Sequence, residues 1–108
     1  MNTSELVESM GIGPHLKGHA YTEFALDKMA KEQLPVVMGK VYEEVATKFN
    51  SKYTRVERAI RHAIDIAWCK QCDIHAVFKE KPTNTEFLHK LAKMMQQGRV
   101  VASNGRAS

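Results

Sequence analysis

At 108 residues the chain has room for one domain, and 44% hydrophobic with 26% charged residues is a globular composition, not a disordered one. Its apolar runs are too short to cross a membrane, and the opening Met-Asn-Thr-Ser-Glu lacks the basic and apolar regions of a secretion signal, so a cytoplasmic location is expected. A formal net charge of +4 and a pI near 9.2 permit a nucleic-acid partner without requiring one.

Helical spacing dominates the chain, and no stretch alternates apolar and polar residues long enough to make a strand. The expected fold is all-α: one small domain of five to six helices over residues 1–98, followed by a polar, disordered tail over residues 99–108. A first helix is expected over residues 4–10, capped by Thr3 or Ser4 and closed by Gly11. A second follows over residues 16–31 with Leu16, Ala20, Phe24 and Met29 along one side, although Gly18 weakens its first turns. Pro35 suits the first turn of a third helix, in which Met38, Val41, Val45 and Phe49 recur at helical spacing before Asn50 and Ser51 end it. The fourth helix, residues 54–68, opens with Thr54 and Glu57 at capping-box spacing. A single turn near residues 73–78 leads to Pro82, and Thr83 with Glu86 then repeats the capping box. Phe87, Leu88, Leu91, Met94 and Met95 line the apolar side of a last helix that reaches Gly98.

The fourth helix carries the chemistry. At about 100° per residue, Val56, Ala59, Ile60, Ala63, Ile64, Ile66 and Ala67 fall in one half of the wheel, and Arg55, Glu57, Arg58, Arg61, His62 and Asp65 in the other. Small residues Ala59, Ala63 and Ala67 allow close approach of a neighbouring helix, for which the third helix is the expected partner. From Lys48 to His62 the cations are Lys48, Lys52, Arg55, Arg58 and Arg61, against the single acid Glu57. A helix, a short turn and an amphipathic helix with an arginine-rich first half make a helix-turn-helix pattern.

Groove geometry gives that pattern a use. Residues in the first turns of a helix lying in the major groove reach base edges, where arginine pairs with guanine and glutamate accepts from the cytosine amino group. Arg55, Glu57 and Arg58 are therefore the expected base readers. Lys48, Ser51, Lys52, Thr54, Arg61 and His62 are placed to meet the backbone or support the readers, and the helix N-terminus can hold a phosphate. The competing reading is a solvated face bearing internal pairs such as Glu57–Arg61, His62–Asp65 or Arg61–Asp65.

The run Thr-Arg-Val-Glu-Arg-Ala-Ile-Arg-His-Ala-Ile-Asp-Ile-Ala-Trp at 54–68 resembles the recognition helix of the C-terminal effector domain of the master sporulation response regulator of Bacillus and Clostridium, the stage 0 sporulation protein A family. Lys-Pro-Thr-Asn-Thr-Glu-Phe at 81–87, His15-Leu16-Lys17-Gly18 with Tyr21, and Lys48-Phe49-Asn50 are similar to further stretches of that family, in the right order. The resemblance implies a DNA-binding transcription regulator that is not an enzyme and recognises a box resembling TGTCGAA. It also implies a head-to-tail homodimer on tandem boxes and contact with the RNA polymerase sigma subunit. The family's receiver domain and its phosphorylation are not expected here. Pro14 directly precedes His15 where the family has Pro-Ala-His, Glu23 replaces a common basic residue, and the segment 69–79 is several residues shorter, which bears on dimer and polymerase contacts more than on base reading. The alternative function is a protein-interaction module that binds or titrates a full-length homologous regulator.

Other constellations carry less. Cys69, Cys72 and His75 make three of the four ligands of a structural zinc site, with His89 or His62 as distant fourth candidates. No metal or cofactor is expected, and both cysteines are expected to be reduced. His15, His19 and His89 lack a nucleophile at catalytic spacing and read as surface or capping residues. Lys17-Gly18 lacks the glycines of a phosphate loop. The methionines of the last helix read as packing.

Overall fold

Six helices and no strand make up the described residues of the computed structural model, which covers the backbone of residues 2–70 and 72–107 and the side chains of residues 2–70 and 72–98. The helices are α1 Thr3–Ser9, α2 Lys17–Met29, α3 Met38–Lys48, α4 Tyr53–Cys69, α5 Ile74–Val77 and α6 Asn84–Ala107. The all-α expectation holds.

Local chemistry explains most of the boundaries. Asn2, rather than Thr3 or Ser4, caps α1: its side chain accepts from the Glu5 amide at 2.8 Å while the Glu5 carboxylate accepts from the Asn2 amide at 3.0 Å. Gly11 ends this helix with φ +108°, a conformation that costs a residue with a Cβ. α3 starts at Met38, later than Pro35 suggests, because the chain reaches an extended Val37 before turning helical. Its end is a Schellman motif: Asn50 takes a left-handed conformation (φ 51°), the Ser51 amide donates to the Ala46 carbonyl and the Asn50 amide to the Thr47 carbonyl. The Thr83–Glu86 capping box forms as expected, with both reciprocal bonds near 3 Å. α6 does not stop at Gly98. One exposed glycine costs a helix only about 1 kcal/mol, and no proline follows to end it. The tail expected over residues 99–108 falls outside the residues whose side chains are described.

α4 is the central strut. It packs most extensively on α2, then on α3, and also meets α5 and α6. Val56, Ile60, Ala63, Ile64 and Ala67 are buried along it and join Leu26 and Met29 of α2, Val41 and Val45 of α3 and Phe87, Leu88 and Leu91 of α6 in one core. Two expectations fail at the α2–α4 contact. The helix lying closest to the alanine stripe is α2, not α3. A Cβ on Gly18 would come within 2.5 Å of the Ala59 carbonyl oxygen and 2.7 Å of the Ala63 Cβ. And the buried side of α2 is Gly18, Tyr21, Thr22, Ala25, Leu26 and Met29, while Leu16, Ala20 and Phe24 are only half-buried. Small and hydroxyl residues let α2 come close to α4, so its inward side is set by fit and not by the line of its bulkiest apolar residues.

Candidate nucleic-acid interface

The burial of one side of α4 dictates what the other side presents. With Val56, Ile60, Ala63, Ile64 and Ala67 in the core, Arg55, Arg58, Arg61 and His62 are turned outward and exposed, and Glu57 and Asp65 are partly so. Arg58, on which a base-reading role most depends, is not covered by any other helix. Among the described residues no ion pair involves Arg55 or Arg58, so both guanidinium groups are available to an outside acceptor.

The first turn of α4 departs from the expected cap. Lys52, not Thr54, is the N-cap residue, and no side chain there accepts from the backbone. Thr54 lies inside the first turn, exposed, and Glu57 has turned away from the backbone to accept from Arg61 across one helical turn. The reason is competition: an arginine four residues on offers the carboxylate a charged donor, and the Schellman turn through Asn50 and Ser51 already directs the chain into the helix. The outcome is an N-terminus whose leading amide groups have no side-chain acceptor, ringed by Ser51, Lys52 and Thr54, with exposed Lys48 at the end of α3. Such an end attracts anions through its free N–H groups and the positive pole of the helix dipole. Tyr53, the first residue of α4, sets its ring edge-on against that of Tyr42 with centroids 5.2 Å apart, which fixes α3 and α4 together at the turn.

Three residues that helical spacing does not reveal also bear on this surface. Asn84, at the start of α6, is buried and donates from Nδ2 to the Glu57 carbonyl oxygen at 3.0 Å. Lys81, in the loop before α6, donates from Nζ to Asp65 Oδ1 at 2.9 Å. Tyr42 is buried beside Asn84, and burial pushes its phenol above the ordinary value while the Asn84 amide acts in the opposite sense. The partners lie far apart in sequence, so no periodicity connects them. Of the internal pairs considered for a merely solvated face, Glu57–Arg61 forms, whereas Asp65 pairs with Lys81 and not with Arg61 or His62.

The remaining candidates are occupied structurally. His75 bonds the Trp68 carbonyl through Nε2 at 2.7 Å and lies against the indole with ring centroids 4.0 Å apart. Cys69 and Cys72 are free thiols. His19, expected at the surface, is instead buried and bonds Glu8 at 3.1 Å, tying α2 to α1. His89 accepts from the Val36 amide at Nε2 and lies against the Thr85 carbonyl through Nδ1, pinning the segment before α3 to α6. No group of three or more metal-ligating side chains occurs among the described residues, and no helix is long and apolar enough to cross a membrane.

A comparison with protein-family models matches residues 3–95 to the family described as Sporulation initiation factor Spo0A C terminal. The match spans all of α1 to α5 and the first half of α6, including the whole cationic helix and the loop that braces it. That family is one of DNA-binding regulatory domains and not of enzymes. With its six helices and outward-facing arginines, this chain belongs to the Spo0A C-terminal family of sporulation regulators, and its partner is double-stranded DNA.

Proposed function

We propose that the chain is a sequence-specific transcription regulator that works by laying α4 in the major groove, with α3, the turn and α4 acting as a helix-turn-helix unit. Arg55, Glu57 and Arg58 read base edges, arginine by paired donation to guanine and Glu57 by accepting from a cytosine amino group. Lys48, Ser51, Lys52 and Thr54 grip phosphates around the open N-terminus of α4, and Arg61 and His62 support the contact one turn further along. One observation carries the reading: Arg55 and Arg58 are exposed and, among the described residues, in no ion pair, while the opposite side of α4 is locked in the core. The Arg61 pair with Glu57 holds the glutamate on that same exposed side before DNA arrives, which lowers the cost of ordering it on binding.

The resemblance extends the proposal to a box like TGTCGAA, to tandem boxes bound by a head-to-tail dimer, and to contact with the RNA polymerase sigma subunit. A DNA target of this kind puts the protein in the bacterial cytoplasm. Selecting binding sites from random duplexes at two salt concentrations tests the core of it. A recovered consensus whose preference survives the higher salt is expected; recovery of unbiased sequences, with affinity tracking ionic strength alone, rejects base reading.

A further inference from the structure

A carboxylate on the DNA side of a recognition helix is a liability wherever it meets phosphates and not a base donor. Asp65 lies seven residues beyond Arg58, which puts it about 20° from Arg58 around the helix axis and roughly 10 Å further along it. Left unpaired, it would meet the phosphate backbone as like charge against like charge, and such juxtaposition opposes binding strongly. It is not left unpaired. Lys81 reaches Asp65 Oδ1 at 2.9 Å from a separate segment. That segment is itself anchored: Pro82 is buried, and buried Asn84 donates to the Glu57 carbonyl two turns up the same helix. The only other acid of α4, Glu57, is held by Arg61. Each carboxylate of α4 is thus covered by a cation, and for Asp65 the cation comes from outside the helix.

As a stability device the pair is unconvincing, because both side chains are about half exposed and such pairs add little to folding. We infer that Lys81 is instead a positioning residue for DNA binding: it masks the Asp65 carboxylate so that the C-terminal half of α4 can approach the phosphate backbone. This rests on the proposed placement of α4 in the groove.

A double-mutant cycle on DNA affinity tests it, with a duplex carrying a TGTCGAA-like box, fluorescence anisotropy and about 0.1 M salt, where charges beyond roughly 10 Å are screened. Lys81→Ala is expected to weaken binding by about 5-fold, and Lys81→Arg to bind as the native protein does. In an Asp65→Asn background the same Lys81→Ala change is expected to cost less than about 2-fold, because nothing remains to mask. Equal losses in both backgrounds would mean that Lys81 merely adds positive charge or holds a phosphate directly, and would overturn the masking role. So would no loss from Lys81→Ala in the native background. Thermal melting of each variant, expected to match the native protein, separates these effects from unfolding. Arg58→Ala, measured in parallel, keeps the two levels apart. If it binds like the native protein, α4 is not at the duplex and both proposals fall; if it binds weakly while the cycle is additive, only the masking falls.

Discussion

Arg58 and Arg55 owe their availability to what surrounds them: no acidic side chain among the described residues pairs with either, and neither is packed against another helix. Replacing Arg58 with Ala is expected to cost about 1–3 kcal/mol on a cognate duplex and to relax discrimination at one base pair, read from affinities for single-base variants of the box. Equal losses on cognate and unrelated duplexes would assign Arg58 to the backbone instead. Lys52, exposed and serving as N-cap without closing the helix end, belongs to the opposite class. Lys52→Ala should weaken binding to all sequences alike and lower the salt slope by about one, measured as log affinity against log salt. Tyr42 gives a residue-level test of the support beneath the surface. Burial raises its phenol above 10.0, so the stability it contributes is complete below that pH and is lost as pH rises through the higher folded value. Tyr42→Phe should therefore flatten the alkaline decline of stability, followed by denaturant unfolding between neutral pH and pH about 11.

At the scale of elements, α4 is positioned chiefly by its crossing with α2. Gly18 faces the Ala59 carbonyl and Ala63 at distances that leave no room for a Cβ. Gly18→Ala gains up to about 1 kcal/mol of helix propensity yet forces two backbones apart, which costs about 1–3 kcal/mol. A net loss of stability, seen as a melting point lower by several degrees, is the expected result. An unchanged or higher melting point would mean that the crossing yields without cost. Because α4 also carries the arginines, a shift in this crossing moves the whole cationic side as one body. The α3–α4 junction is fixed locally by the Schellman turn at Asn50 and by the Tyr42–Tyr53 ring contact, and α2 reinforces it by setting Tyr21 and Phe24 edge-on against Phe49 at the end of α3.

Over the whole molecule, one helix is shared between two tasks. The aliphatic half of α4 runs through the middle of the core, and its polar half forms the surface proposed to meet DNA. α6 begins against that same helix through Asn84 and continues along α2, where Gln96 donates to the Ala30 and Glu32 carbonyls at 3.2 and 2.7 Å. The start of α6 therefore bears on the Glu57 backbone while its later turns brace the end of α2. Any partner gripping α6 would press on an element bonded directly to α4.

Periodicity and punctuation were enough to read five to six helices, the α4 wheel and its outward arginines, because those depend on residues within a few turns of one another. The exposure of Arg55, Arg58, Arg61 and His62 follows from the apolar residues on the same helix and required nothing further. Capping was only half legible. Thr83 and Glu86 closed their box, but Thr54 and Glu57 did not, since Arg61 competed for the carboxylate and the preceding turn had already ordered the chain. What lay beyond the sequence was every relation between distant segments: α2 rather than α3 against the alanine stripe, Lys81 on Asp65, and Asn84 beneath Glu57. Hydrophobic spacing says which side of a helix is buried but not which helix buries it. That choice depends on how closely two backbones can approach, and only the assembled core decides it.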